Sequence, residues 1–271
     1  MDQEIDLRDF FQLIWDRKSF ICFSTILSGL SFLAFSFFLP NTYTSESILI
    51  PASKEESLSS KLGGYSALAG FAGVTLPSEV TSKSDEAIER IRSYDFFIKH
   101  FLPNIKKSHI MDLKGSKDVP SDQESFEIFS DALRVSSDKN TSFVNISISH
   151  RSPVIAKEWL DIIIYNINES MRTKDIVYAE NSIKFLNETA KSTNVQSIKD
   201  AITILLEGQM QTLMLASSNQ DYIFQILDPP IVPEKKSGPN RVIILLIGII
   251  LGALMGIFTV IIQQIKKSNS T

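Results

Sequence analysis

Two stretches without a charged side chain stand near the two ends of the sequence, at residues 20–39 and 242–262. Each has about the length of an α-helix that crosses roughly 30 Å of hydrocarbon, since a helix rises about 1.5 Å per residue. The pattern therefore predicts two transmembrane helices. Because two spans return the chain to the side on which it started, both termini are expected on one side of a membrane and residues 40–241 on the other.

A cleaved signal peptide is the alternative interpretation of the first apolar stretch. A signal peptide begins with a short basic region and ends at a small-x-small cleavage site. Here the preceding residues mix acidic with basic side chains, and Leu39, Pro40, Asn41 and Thr42 offer no such site. We therefore expect an uncleaved membrane anchor.

Basic residues indicate the orientation of the two predicted spans. Arg17 and Lys18 precede the first span, and Lys266 and Lys267 follow the second, which predicts cytoplasmic termini under the positive-inside rule. Three basic residues lie on the opposite side: Lys235, Lys236 and Arg241. They do not reverse the prediction, because a long loop is translocated largely regardless of its charge. The expected location is a bacterial inner membrane, with the main domain in the periplasm.

The first residues carry an apolar stripe of Leu7, Phe10, Phe11 and Ile14 at helical spacing. This pattern predicts a short amphipathic helix on the inner leaflet within residues 1–19. A plain continuation of the first span helix is the other interpretation that the pattern allows.

Residues 154–207 contain neither glycine nor proline, and apolar residues recur there every three or four positions. This spacing predicts a helix at about 153–191, some 60 Å long at about 1.5 Å per residue. A second helix is predicted at about 195–216, antiparallel to the first. The first helix is too long to be buried within one small domain, so we expect other helices or subunits to cover its apolar stripe.

Shorter patterns on both sides of the long helices mix strands with helices. Strands are predicted at 44–50, 142–149 and 222–227, helices at 84–102 and 122–133, and a loop at 112–120. Ser84 is the predicted N-cap residue of the 84–102 helix. The expected fold is an α+β membrane protein, in which two transmembrane helices flank a periplasmic α/β base with a long helical hairpin.

Four prolines approach the second span: Pro229, Pro230, Pro233 and Pro239. They predict a stiff, extended juxtamembrane segment, since proline has no N–H for a ladder and is excluded from helix interiors. Inside the second span, Gly248, Gly252 and Gly256 repeat at every fourth residue. Such Gly-x-x-x-Gly spacing favours close helix packing in lipid, and we expect this face to meet the first span or a neighbouring subunit. Glycine is also frequent in membrane helices without a packing role.

Catalytic and cofactor chemistry has no recognisable pattern in the sequence. The three histidines are far apart and lack ligands at metal spacing, and the glycines at 58–74 lack the lysine of a P-loop. The net charge is −4 without a basic aromatic cluster, which argues against nucleic-acid binding. The single cysteine, Cys22, lies in the first span and leaves the main domain without a disulfide. We expect no catalytic residues, no metal and no cofactor.

Three blocks of the sequence resemble the Wzz-type chain-length determinant family, the polysaccharide co-polymerases. They are residues 4–8 (EIDLR), residues 148–159, which lead from strand into long helix, and residues 222–236 (YIFQILDPPIVPEKK). A proline-rich segment opening a glycine-rich second span is characteristic of that family. The resemblance implies a membrane-proximal α/β base, a helical arm and several protomers arranged in a ring or bell.

The resemblance also implies a function, which is to set the length of O-antigen or a related glycan. The expected partners are a separate polymerase and the growing lipid-linked glycan. An export co-polymerase linked to a capsule transporter is an alternative. A two-span sensor is a weaker one, because residues 263–271 are too few for an output domain. The expected organisation is a cytoplasmic segment 1–19, spans 20–39 and 242–262, a periplasmic domain 40–241 and a cytoplasmic tail 263–271.

Overall fold

The computed structural model describes residue 15 and residues 17–52, 83–115 and 118–268. The predicted amphipathic helix, apart from Trp15, and the glycine-rich stretch at 58–74 lie outside the described residues. The chain divides into two compact units. We call them the helix unit, Met1–Thr42 with Lys235–Thr271, and the sheet unit, Tyr43–Glu234.

The helices and strands follow one another in a mixed α and β order. In chain order they are α1, Lys18–Phe38; β1, Tyr43–Pro51; α2, Lys83–Ile91; α3, Tyr94–Phe96; α4, Lys107–Lys114; α5, Asp122–Ala132; β2, Leu133–Ser137; β3, Val144–His150; α6, Pro153–Ser192; α7, Gln196–Ser218; β4, Phe224–Asp228; and α8, Arg241–Ser268. Helix α3 continues into a π-helical turn, Phe97–Phe101, and a 3₁₀ turn, Leu102–Asn104.

The four strands form one antiparallel sheet in the order β2-β3-β1-β4. Ser47 of β1 lies opposite Ile146 of β3, and Leu49 lies opposite Ile226 of β4 after a register shift. Alternate residues of β3 are buried, as expected for a sheet with one face against a core.

An aromatic cluster fills the core of the sheet unit. The rings of Phe101 and Phe129 have centroids 4.5 Å apart, and Phe101 meets Trp159 edge to face at 5.3 Å. Trp159 belongs to the first turns of α6, whose buried residues begin at Ala156 and recur as far as Met171. The core therefore joins α6 to the π-helical turn and to α5.

Helices α6 and α7 confirm the predicted long helical hairpin. Helix α6 has 40 residues, about 60 Å at 1.5 Å per residue, and α7 has 23. Beyond Met171 only Ala179 of α6 is fully buried, and large apolar side chains such as Phe185 are exposed. The proximal part of α6 is thus core, whereas the distal part has α7 as its neighbour.

The helix predicted at 84–102 is broken in the structure. It ends at Ile91, and a new turn begins after Ser93, whose hydroxyl accepts the N–H of Phe96 at 3.2 Å. Ser84 lies within α2, so its prediction as an N-cap residue was wrong. Local capping by Ser93 overrides the apolar spacing that continued through the break.

The structure differs from the sequence analysis at two further places. Helix α4 reaches Lys114 and ends at Gly115, which has φ of 73°, so the predicted loop at 112–120 starts too early. Strand β2 was not predicted, because apolar and polar residues alternate only briefly in Leu133–Ser137 before the turn that leads to β3.

A side-chain clamp attaches the beginning of β4 to α6. The buried Asn168 accepts the N–H groups of Ile223 and Phe224, each at 2.9 Å, and donates to the oxygen of Phe224 at 3.0 Å. Its amide thus pairs with main-chain groups as a neighbouring strand would. This contact brings together residues more than fifty positions apart in the sequence.

An ion-pair cluster lies beside this clamp. Lys83 contacts Asp175 at 2.8 Å, and the Tyr222 hydroxyl donates to the same carboxylate at 2.6 Å. Burial lowers the pKa of Lys83, but its hydrogen bonds to Asp175 and Tyr222 outweigh this effect and raise the pKa above its usual value. The cluster joins α2, α6 and the residue that precedes the clamp.

We expect Asn168→Ala to destabilise the sheet unit, because it leaves two buried N–H groups and a carbonyl without their partner. The loss should be about 1–3 kcal/mol, measured as a lower melting temperature of the full-length protein in detergent. Asn166→Ala is the matched control, since Asn166 bonds to Ile162 of its own helix. Equal melting temperatures for the two variants would contradict the clamp.

Candidate functional site

Two features near the predicted spans are candidates for function. The glycine face comprises Gly248, Gly252 and Gly256 of α8. The proline segment comprises residues 228–233, between β4 and the helix unit. Because these features belong to different units, each is described by itself.

The glycine face lies against α1. A methyl group added at Gly248 would stand 2.6 Å from Cβ of Phe32, and one at Gly252 would stand 2.6 Å from Cβ of Ser28. Neither distance is possible between real atoms, so α1 comes this close only because both side chains are missing. At Gly256 the added carbon would lie 3.3 Å from Cα of Ile21, which is tight but does not exclude a methyl group.

Serine hydroxyls of α1 bond across to the same face. Ser28 donates to the oxygen of Gly248 at 2.8 Å, and Ser24 donates to the oxygen of Gly252 at 3.1 Å. By contrast, Ser31 donates to the oxygen of Leu27 in its own helix. Bonds between helices matter in a hydrocarbon environment, where apolar side chains gain nothing by leaving solvent.

The serines were not among the predicted site residues. Ser24 and Ser28 are four positions apart, as are the glycines they meet, and this shared spacing was the available signal. The sequence left open whether the glycine face meets the first span or another subunit, and in the structure its neighbour is α1.

Most of the outer surface of the helix pair is apolar and exposed. Helices Lys18–Phe38 and Arg241–Ile262 are long and apolar enough to cross a bilayer. Only 11% and 17% of the residues in their most apolar stretches are buried. Arg241 stacks on Phe37 at 4.6 Å, and Lys18 lies 4.9 Å from the Trp15 ring. Basic and aromatic side chains at both ends of apolar helices are typical of membrane interfaces.

Hydroxyl groups of β1 replace a strand ladder along the proline segment. Ser47 donates to the oxygen of Asp228 at 2.6 Å, and Ser45 donates to the oxygen of Ile231 at 2.9 Å. Pro229 and Pro230 have no N–H with which to continue the pairing of β4. The two buried serines therefore keep the extended segment beside β1 after the ladder has ended.

The prolines have different surroundings. Pro230 is buried and Pro233 is half-buried, whereas Pro229 is exposed. Pro239 belongs to the helix unit, where it follows Gly238 through a cis peptide bond.

Main-chain hydrogen bonds join the segments beside α1 and α8 in the helix unit. The N–H of Thr42 donates to the oxygen of Gly238 at 3.1 Å, and the N–H of Ser237 donates back to Thr42 at 2.8 Å. A side chain at Gly238 would stand 2.8 Å from the Thr42 hydroxyl.

The three histidines belong to the sheet unit, and Cys22 belongs to the helix unit. His100 contacts the hydroxyl of Ser170 at 3.3 Å, His150 is buried at the end of β3, and Cys22 is exposed on α1. Burial lowers the pKa of His100. Among the described residues, no group of three or more histidine, cysteine or acidic side chains is arranged to hold a metal ion.

Comparison with protein families finds a match in the first part of the chain. Residues 3–100 match the family model described as Wzz, chain length determinant protein, and this match confirms the resemblance. It includes β1 with its two serines and the whole of α1. Residues 222–236, which include the proline segment and also resemble the family, lie outside the matched residues. No curated protein sequence matches the chain.

Several solved structures are similar at low sequence identity. A full-length bacterial polysaccharide co-polymerase is 14% identical, with a TM-score of 0.44, over 97% of this chain and 99% of that one. A fragment of the polysaccharide co-polymerase WzzB from Salmonella Typhimurium is 16% identical, with a TM-score of 0.34, over 73% and 100%. A point mutant of the Shigella flexneri lipopolysaccharide O-antigen chain-length regulator is 12% identical, with a TM-score of 0.24, over 72% and 100%.

We expect Gly252→Ala to push α1 and α8 apart, because the new methyl group meets the main chain of α1. Overpacking of this kind typically costs about 1–3 kcal/mol, which should appear as a lower melting temperature of the detergent-solubilised protein. Gly256→Ala is the matched control and should cost clearly less. Helices packed through another face would respond equally to both substitutions.

Ser28→Ala should weaken the helix pair by removing the bond to Gly248. Hydrogen bonds between membrane helices contribute about 0.6 kcal/mol on average and up to about 1.7 kcal/mol. Ser31→Ala removes the same hydroxyl from a bond within α1 and should leave the melting temperature nearly unchanged. A larger effect of Ser31→Ala than of Ser28→Ala would contradict the assigned interface.

Proposed function

We propose that this chain regulates the length of a bacterial surface polysaccharide, O-antigen or a related glycan. It acts as an oligomeric scaffold beside a separate polymerase that makes the glycosidic bonds. The match of residues 3–100 to the chain length determinant family is the observation that carries this proposal. The proposed role is regulatory and requires no catalytic group from this chain.

The proposed location is the inner membrane, with both termini in the cytoplasm. Helices α1 and α8 supply the two spans, and the domain between residues 40 and 241 is periplasmic. Two observations support this topology. Both helices are apolar over a membrane-spanning length. In the sequence, basic residues lie just before the first span and just after the second.

The long hairpin supports an assembly of several copies. Large apolar side chains beyond the core remain exposed on both helices: Val177, Tyr178 and Phe185 of α6, and Ile198, Ile204, Leu205, Met210 and Met214 of α7. A run of exposed apolar residues is typical of an interaction surface. Neighbouring copies in a ring or bell would cover this surface, which α7 alone leaves open.

In this proposal the assembly organises the polymerase or the growing lipid-linked glycan, so that elongation stops within a preferred length window. A hairpin about 60 Å long provides a rigid framework on the scale of a polymer of several sugars. The helix pair anchors the chain in the membrane, beside which the glycan is assembled on its lipid carrier.

Deletion of the gene in its native strain tests the function directly. We expect the surface polysaccharide to lose its modal band pattern on a gel while polymer is still made, because the polymerase remains. The pattern should return when the wild-type gene is restored. Complete loss of polymer would instead favour the export co-polymerase that works with a transporter. An unchanged band pattern would refute the proposed regulation.

A charge on the exposed hairpin tests the scaffold. Phe185→Glu should reduce the mass of the detergent-solubilised complex and disturb the band pattern, because it places a charge in the surface assigned to neighbouring copies. Lys184→Glu is the matched control, since it introduces the same side chain at the adjacent exposed position. A complex of unchanged mass with Phe185→Glu would remove this face from the assembly.

A further inference from the structure

His150 is fully buried where β3, α4 and α6 meet. Its Nε2 lies 2.9 Å from the main-chain oxygen of His109 in α4. Its Nδ1 accepts the N–H of Ser152 at 2.9 Å. The ring also meets Trp159 edge to face, with centroids 4.9 Å apart. One imidazole at the end of a strand therefore contacts both a neighbouring helix and the start of the long helix.

The two hydrogen bonds specify the neutral ring. A main-chain N–H only donates, so Nδ1 of His150 must accept from Ser152. A main-chain oxygen only accepts, so Nε2 must carry the proton that points to His109. In the protonated ring Nδ1 would also carry a proton, and two donors would face each other in a buried space. The arrangement thus tolerates one protonation state.

The surroundings oppose a charge on the ring. Burial lowers the pKa of His150, the bond to the oxygen of His109 raises it, and the lowering prevails. From α4, the imidazole of His109 disfavours the charged ring and Asp112 favours it. From α6 the ring meets the uncharged Trp159, and Tyr43 is its register partner on β1.

The ring is placed where it affects the start of α6. Ser152 is the N-cap residue of α6, and its side chain makes no capping bond. Its oxygen accepts the N–H of Ala156 at 3.1 Å, while its own N–H is bound by His150. Next to it, Arg151 extends toward Gly115, where α4 ends. Loss of the imidazole bond would therefore loosen the first turn of α6 and its contact with α4.

We propose that His150 is a pH-sensitive latch, which in its neutral form ties α4 and the first turn of α6 to the end of β3 and on protonation releases the first turn of α6. This device rests on the geometry of the sheet unit and is independent of the proposed function. It makes the base of the long hairpin responsive to acidification.

The direction of the pH effect follows from the two states of the ring. An unfolded histidine titrates near pH 6.5. Because the folded protein holds the neutral ring and its pKa is lowered, the stabilisation is fully present above about pH 6.5 and declines as the pH falls toward the folded pKa. The latch is thus closed at neutral pH and opens in acid.

Trp159 reports on the latch directly, since a protonated imidazole quenches a neighbouring indole. The full-length Trp15→Phe protein in detergent retains Trp159 as its single tryptophan. We expect its emission to change only below about pH 6.5 and to recover when the pH is raised again. In the same background, His150→Gln should abolish the change, because glutamine places an N–H near the position of Nε2 but does not titrate.

His100→Gln is the matched control, since His100 is a partly buried histidine whose pKa is also lowered by burial. The emission change should persist in this variant. Persistence of the change in His150→Gln, or its absence in the Trp15→Phe parent down to about pH 4.5, would overturn the latch.

A second measurement keeps the test decisive if His150→Gln fails to fold. Carbon-13 labelling of histidine allows the three imidazoles to be titrated by NMR in otherwise unaltered protein, with signals assigned from His100→Gln and His109→Gln. A His150 signal that titrates below about pH 6.5, together with the Trp159 change, supports the latch. Titration at or above that value would refute it.

Discussion

The first turns of α6 pack between the antiparallel sheet and the aromatic cluster around Phe101 and Phe129, and the sheet unit depends on this contact. Trp159 and the apolar residues up to Met171 are buried there, which removes a continuous stripe from water. Because the same helix continues for about six further turns beyond that stripe, anchoring its base also determines the direction of the hairpin. Exposed apolar residues on the distal part are then a consequence of length, since one small core covers only the proximal part.

Side chains satisfy main-chain groups at the places where regular pairing stops. Asn168 does so at the beginning of β4, Ser45 and Ser47 do so beside the prolines, and His150 does so at the start of α6. Leaving such groups without partners in a buried position is costly, so each junction between elements requires a specific polar residue. Ser28 has the corresponding role in the helix unit, where missing glycine side chains bring a carbonyl within its reach.

A scaffold of the kind we propose needs a rigid arm, and these junctions hold the base of that arm in place. The clamp at Asn168 and the hydroxyl bonds of β1 secure the segment that leads from the sheet toward α8. The imidazole of His150 secures the start of α6, at the base of the same arm. A proton at that position changes one hydrogen bond, yet it acts where three elements meet.

Features that depend on local order along the chain could be predicted from the sequence. Charge-free length predicted α1 and α8, unbroken apolar spacing predicted the hairpin of α6 and α7, and the prolines predicted an extended segment after β4, because each pattern follows from the geometry of a single element. Contacts between distant residues followed from the packing of the elements. These include α1 as the neighbour of Gly248 and Gly252, the main-chain partners of Asn168, and His109 as a partner of His150. No local pattern encodes them, since a hydrogen bond between residues fifty positions apart depends on how separately predicted elements pack.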